Sequence, residues 1–382
     1  MEHTQYDRPF GQARKYDSAQ QALEISSDIS SQSATLTSIK LGGNTFGVEA
    51  CRAIAAAMHT CGQMESAYLG DLFTGRLKTE IPPSLDAFVD ALLGKSCLVH
   101  LDLSDNAFGP AGARPLQKLL VGNRNIQVLK LNNNGLGIEG GRLVAEALSE
   151  AHGLNAAQGS SDQLRVVVCG RNRLESAGAT HLCAALALYQ HSLTHVLVPQ
   201  NAIRPDGIAS LVASLGKCTK LHTLDLQDNT CTETGSLAIA KALASWPDLH
   251  TLHLGDCLLG AKGAVNILVA LTPAHVHIVN LHLGFNEIKE DGARLVAAML
   301  ANKTQLRLIE LNGNMFDRDC APVQDIMAVL TLHGHLDALD ELDEMEVESD
   351  EECESDLEAG LEDEASDEKV SALFDCLSLG SK

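Results

Sequence analysis

The sequence predicts an α/β solenoid, with a curved parallel sheet inside and helices outside, and three observations carry that prediction. The pattern LxxLxLxxNxL, where L is any apolar residue, recurs along most of the 382 residues. Its asparagine places are separated by 28, 34, 28, 38, 29, 28, 28, 29 and 28 residues. Each occurrence is followed by a stretch with apolar residues at helical spacing, such as "GVEACRAIAAAM" at 47–58.

Residues 1–33 lack the pattern and are expected to cap the N-terminal end. The repeats then run "LTSIKLGGNTF" (36–46), "LVHLDLSDNAF" (98–108), "IQVLKLNNNGL" (126–136), "LHTLDLQDNTC" (221–231) and "LRLIELNGNMF" (306–316), among others. The ladder place, ninth in the pattern, holds Asn44, Leu72, Asn106, Asn134, Asn172, Asn201, Asn229, Cys257, Asn286 and Asn314. Alternation at LxL points leucines to one face of a short strand. The asparagine ends the strand and offers its side chain to neighbouring backbone, so stacked repeats form an asparagine ladder. No single repeat can bury its apolar side alone, and stacking makes one continuous core. The period resembles the ribonuclease-inhibitor type of leucine-rich repeat. About ten repeats fill 34–336, and "CAPVQDIMAVLTL" (320–332) forms the last helix.

The pattern stops near Asp337. Of the net charge of −22, residues 337–368 carry −18, with no Lys or Arg among them. Like charge with little apolar surface predicts a disordered acidic tail over 337–382. Removing it is expected to leave the solenoid's stability unchanged.

Acidity and 3% aromatic content argue against nucleic-acid binding. No apolar run is long enough to span a membrane, and the opening residues show no secretory signal. The eleven cysteines include no CxxC pair, and Cys169, Cys231 and Cys257 fall at core places of the repeat, where cysteine acts as a small hydrophobe.

Enzyme signatures are missing. "LLGKS" (92–96) has Val89 where a phosphate loop needs glycine. The histidines of "HVHIVNLHLG" (275–284) lie along a strand at uneven spacing, with no Cys or carboxylate at ligand spacing beside them. They read as surface histidines, and no metal site or cofactor is expected. The informative residues stand just before the ladder place, at the eighth position: Asp71, Asp105, Asn133, Arg171, Gln200, Asp228 and Asp256. Such a ridge is either solvated surface or a grip on a folded partner. "CGRNRLE" (169–175) sets Arg171 and Arg173 on either side of Asn172. Two intervals are long. One contains "EAHGLNAAQGSSDQ" (150–163), read as a loop insertion, and the other "LFTGRLKTEIPP" (72–83), with Arg76 and Lys78. Insertions in solenoids often decorate the binding face.

"DLFTGRLKTEIPPSL", "LDLSDNAFGPAG", "LNNNGLG", "CGRNRLE", "LDLQDNT" and "ELNGN", in that order and followed by an acidic tail, resemble the Ran GTPase-activating proteins, in their shorter fungal-type form. The resemblance implies a partner, Ran in its GTP-bound state, whose hydrolysis of GTP the chain accelerates. GTP and magnesium then belong to Ran, and the chain is an activator without a nucleotide site. Many GTPase activators insert an arginine finger, and Arg76, exposed in an irregular loop, suits that role from sequence alone. The resemblance implies otherwise: the family positions Ran's own glutamine and a nearby tyrosine, with an asparagine of the ridge contributing. By motif that asparagine is Asn133. Arg76 matches a family arginine that does not reach the nucleotide, so Arg76 and Lys78 make a docking edge or shape its loop, together with Asp105, Asn132, Arg171, Arg173 and Asp228. A purely structural Arg76, tied to Asp71 or Glu80, is the alternative for that residue.

For the whole chain the alternative is a non-catalytic leucine-rich-repeat binding module. The resemblance also implies a cytoplasmic or perinuclear protein of nucleocytoplasmic transport, with accessory Ran-binding proteins as further partners. Val370, Leu373, Leu377 and Leu379 have the spacing of a leucine-rich nuclear export signal, or of a short amphipathic helix.

Overall fold

The computed structural model describes residues 4–161 and 163–346, so the acidic segment from 347 and the leucines at 370–379 lie outside the described residues. Within them the expected solenoid is present. An eleven-stranded sheet runs in chain order, every strand parallel to the next. Most strands are three residues long and locked in register; Leu101 pairs with Leu129, Leu129 with Val167, and Val167 with Val196. The middle residue of each points into the core and the flanking two face the concave surface. The cap contributes the first strand, Thr4–Tyr6, and a helix, Leu23–Ser31.

The leucine places behave as the pattern requires. Leu98, Leu101 and Leu103 are buried, and the same places in other repeats join one core that runs the length of the stack. Each such leucine contributes about 1.5–3 kcal/mol of burial. The asparagine ladder is equally regular. Asn134 Nδ2 donates to Leu103 O and Leu131 O at 3.0 Å each, while its Oδ1 accepts from Asn106 N at 3.0 Å. At Cys257 a thiol stands in, with Sγ 3.3 Å from Leu226 O. Leu72 has no such group, and its own N–H donates to Asn106 Oδ1 at 2.8 Å.

A second ladder was hidden by its chemistry. A helix leaves its last carbonyls without intrahelical donors. Here the next repeat supplies one at several helix ends, from residues of varied type. Lys95 reaches His59 O, Asn123 reaches Leu92 O, Trp246 reaches Leu215 O, and Lys303 reaches Leu271 O. The Lys303 ammonium also donates to Ala274 O at 2.6 Å. His275 Nε2 lies 3.0 Å from Leu243 O, which corrects its reading as a surface histidine: it is buried because it closes a helix end.

Two boundaries differ from the sequence expectation. Residues 150–157 are not loop: one helix, Gly137–Ala157, runs through them. Alanines favour helix strongly enough to carry the chain across Gly153, and Tyr189 Oη meets Leu148 O where the helix would otherwise have stopped. The packed C-terminal part also continues past 336. Asp340 accepts from Leu311 N and Asn312 N at 2.9 and 3.0 Å, and Leu339, Leu342 and Met345 pack on the last repeat. The solenoid's open edge is therefore closed by residues assigned to the tail. A chain ending at 336 should melt below one ending at 346. The deficit is about 1–3 kcal/mol, from two charge-assisted bonds to backbone. Equal melting of the two chains in calorimetry would show that this closing segment contributes nothing.

One buried and two half-buried histidines set a pH dependence. His100, His195 and His275 are each held below the ordinary histidine value of 6.5, with burial the first cause. Their folded pKa values lie below the unfolded ones, so the unfolded chain binds more protons in the window beneath 6.5. Stability should therefore fall as pH drops through that window and level off above it. Asp340 has the opposite sign, since burial raises its pKa above 3.8. Melting temperature measured from pH 7.5 to 5 should decline; a rise would contradict the neutral state of these rings.

Candidate functional site

After each strand the chain must leave the sheet edge sharply, and it does so through left-handed backbone. The eighth place has positive φ in repeat after repeat: Asp71 51°, Asp105 61°, Asn133 52°, Arg171 54°, Gln200 53°, Asp228 52° and Asp256 51°. That conformation costs most residues about 1–2 kcal/mol, and Asn and Asp tolerate it best. Part of the polar ridge therefore has a conformational cause. Arg171 and Gln200 are not explained that way, because neither relieves the strain.

Between these turns and the following helix starts lies a concavity of about 430 Å³, lined by Lys78, Phe108, Pro110, Asn133, Arg171 and Arg173. Four residues singled out in sequence, from three different repeats, thus meet in one groove. Lys78, Arg171 and Arg173 are exposed there. The helix Gly109–Gly122 begins at the same place and adds the positive end of its dipole. The rim is acidic, with Asp105 exposed beside Asn133. Asn133 Nδ2 donates to Asp105 Oδ1 at 2.9 Å. A carboxylate only accepts, so this contact fixes the amide with its NH₂ toward Asp105 and leaves Oδ1 as the group presented outward.

The other singled-out residues stand elsewhere or do other work. Asn132 is half-buried, and its Oδ1 accepts from Gly170 N at 2.6 Å, a bridge between repeats. Asp228 is exposed in a separate concavity of about 380 Å³ with Gln200 and Asp256. Arg76 departs furthest from expectation. Its side chain is 5% exposed, not exposed in a loop. Nε donates to Thr45 Oγ1 at 2.8 Å, and Nη2 to Thr45 O at 2.9 Å and Tyr16 O at 3.2 Å. Nη1 pairs with Asp17. Asp71 and Glu80, the partners considered from sequence, are occupied by Thr74 Oγ1 and Leu77 N. The Asp17 carboxyl is held below its ordinary range, chiefly by the Arg76 hydrogen bond.

Arg76 therefore ties the cap to the stretched repeat, and the loop it anchors carries Lys78 to the groove. Asp17 and Thr45 were not visible as its partners, because the cap lacks the repeat register. Phe108 and Pro110 were legible only as a repeat end and a helix start. Only the stretch at 72–80 lies on this edge of the solenoid, since it joins a strand's end to a helix start. The lengthened helix Gly137–Ala157 projects from the opposite edge, where helices return to strands, and does not flank the groove.

The leucine rich repeat family model matches residues 94–116. The chain is 36% identical over 297 residues to Ran GTPase-activating protein 1 of Saccharomyces cerevisiae, covering 75% of this chain and 72% of that protein. It is 38% identical over 333 residues to Ran GTPase-activating protein 1 of Xenopus laevis, covering 86% of this chain. To the Ran GTPase-activating protein of Drosophila melanogaster it is 34% identical, covering 76% of this chain. It spans 57% and 49% of the length of these last two relatives. No helix among the described residues is long and apolar enough to cross a membrane.

Proposed function

The chain belongs to the Ran GTPase-activating protein family, and on that premise we propose that it accelerates the hydrolysis of GTP by Ran. The observation that carries this reading to particular residues is the groove where Lys78, Asn133, Arg171 and Arg173 converge. GTP, magnesium and the attacking water belong to Ran, and the chain brings neither cofactor nor nucleotide site. It engages the GTP-bound state.

The division of labour follows from the chemistry of the groove. Lys78, Arg171 and Arg173 offer cations to an acidic face of Ran and set its orientation, a contribution that salt weakens. Asn133 presents an amide oxygen held in place by Asp105. A neutral amide cannot neutralise charge developing on a phosphate. It can hold the NH₂ of Ran's catalytic glutamine, or the hydroxyl of a neighbouring tyrosine, in the reactive arrangement, lowering the barrier by orientation. Asp228, Gln200 and Asp256 extend the contact surface along the ridge. In the cell this activity keeps cytoplasmic Ran in its GDP form and supports nucleocytoplasmic transport, with accessory Ran-binding proteins assisting.

The test is phosphate release from purified Ran·GTP with the chain at catalytic concentration. Many turnovers per molecule of chain are expected. Binding to Ran·GTP without faster release would instead identify a non-catalytic binding module.

A further inference from the structure

The concave face carries a second cluster, remote in sequence from the groove. The fifth place of the repeat points onto that face. In the last four strands it holds Asp225, His253, His282 and Glu310, paired directly across the ladder. The spacing of one strand to the next, about 4.8 Å, stacks these side chains into a continuous row. His253 and His282 rings lie 4.1 Å apart at 25°. His282 Nδ1 is 2.7 Å from Glu310 Oε2, and His253 Nδ1 is 3.6 Å from Asp225 Oδ1.

We propose that His253, His282 and Glu310 form a binding site for a divalent transition cation of the zinc class. Three features support it. The donor atoms of these three residues lie within 4.8 Å of one another. Two imidazoles and a carboxylate are the donor set that borderline cations of this class take, and calcium and magnesium do not. Asp225 stands on the Nδ1 side of His253, as the outer carboxylate does that orients a ligating imidazole and fixes its tautomer. His253 Nε2 is then the ligating atom, and the chain leaves room beside it. A Cβ at position 255 would stand 3.2 Å from that nitrogen, and the residue there is glycine although its φ does not require one.

The side chains are 14–38% exposed, enough for a rotation about χ2 to turn the two rings from stacking toward one point. Three protein ligands leave a fourth position open on the concave face, to water or to a side chain of a bound partner. No carboxylate stands at ligand spacing from these histidines along the chain because the members of this cluster come from successive repeats. They lie 28 or 29 residues apart, a distance no local motif search covers.

The experiment uses the full chain, stripped with chelator and titrated with Zn²⁺ by calorimetry and with Co²⁺ by absorption. One equivalent should bind, with the visible spectrum of nitrogen and oxygen ligation and without a thiolate charge-transfer band, which separates the site from the chain's cysteines. His282→Gln should remove that equivalent, and Glu310→Gln should weaken it at least tenfold. His222→Gln, outside the row, should leave it intact. Zn²⁺ should raise the melting temperature of the parent chain but not of His282→Gln. An equivalent that persists in both His282→Gln and Glu310→Gln, carries a thiolate band, or is never bound at all overturns the proposal. None of these readouts depends on Ran.

Discussion

Arg76→Ala is expected to unfasten the N-terminal cap from the stretched repeat and, with it, to weaken engagement of Ran·GTP. The guanidinium is almost fully buried and donates to two backbone carbonyls, one hydroxyl and one carboxylate. Truncation removes all four bonds; Tyr16 O keeps the backbone N–H of Gly47, at 2.8 Å, while Thr45 O loses the arginine donor. An unsatisfied buried carbonyl costs about 1–3 kcal/mol, and a loss within that range is expected in the capping region. The Asp17 end adds little, since that carboxylate is half in water. Hydrogen exchange should report the change first at amides of Lys15–Tyr16 and Thr45–Phe46, the two short strands that the arginine clips together.

The functional consequence follows from position. The loop from Phe73 to Glu80 carries Lys78, and Arg76 is its anchor. When the anchor goes, Lys78 loses its fixed place at the groove, and the concentration of chain needed for half-maximal hydrolysis should rise at least tenfold, about 1.4 kcal/mol. The rate at saturation should hold, because Arg76 points away from the groove into its own chain. Arg76→Lys should not rescue, since one ammonium cannot span Thr45, Tyr16 and Asp17 as a planar fork does. Asp17→Ala should be milder, because the bonds to Thr45 and Tyr16 survive. A collapsed saturated rate with unchanged half-saturation would mean that Arg76 leaves its pocket and acts on the nucleotide, against the docking role.

What could be read from the sequence divides along a physical line. Whatever the repeat enforces was legible: the sheet, the ladder, and the outward eighth place that gave Asn133, Arg171 and Asp228. The stack is built by translation, so one well-read unit predicts the rest. What the repeat does not enforce was lost. The donors that close helix ends share a position but not a residue type, so Lys95, Asn123, Trp246 and Lys303 showed no pattern. Arg76 seemed exposed because its partners belong to a cap without register. Asp340 was counted as one more acid in a charged run, although its carboxylate caps the last strand. The row Asp225, His253, His282, Glu310 was legible only by reading down a column instead of along the chain.

Asn133→Ala is the substitution expected to strike chemistry while sparing the fold. Its neighbour shows why the two asparagines must be distinguished. Asn134 is buried and bonds four backbone groups, so Asn134→Ala should lower the melting temperature by removing the acceptor of Asn106 N and the bonds to Leu131 O, Leu103 O and Asn132 O, although Leu103 O and Leu131 O keep the amides of Asn106 and Asn172. Asn133 lies on the other side of the turn, half-exposed, with one bond to Asp105. Alanine there removes no backbone partner, and stability should fall by only about 1 kcal/mol, the cost of placing alanine at a left-handed φ that asparagine tolerates better. The saturated rate of hydrolysis on Ran should fall more than about tenfold, the loss of one orienting contact in the transition state. Binding of Ran·GTP should fall less. Asp105→Ala frees the amide to rotate without deleting it, and so should lower the rate by a smaller factor. Asn133→Asp sets a carboxylate against Asp105 and turns an oriented amide into a repelled anion, so its rate should be no higher than that of the alanine variant, with a partial return at high salt. If Asn133→Ala hydrolyses Ran·GTP normally in a single turnover at saturating chain, the amide is ridge surface. The conversion of a groove into an activator would then rest on Arg171 and Arg173 instead.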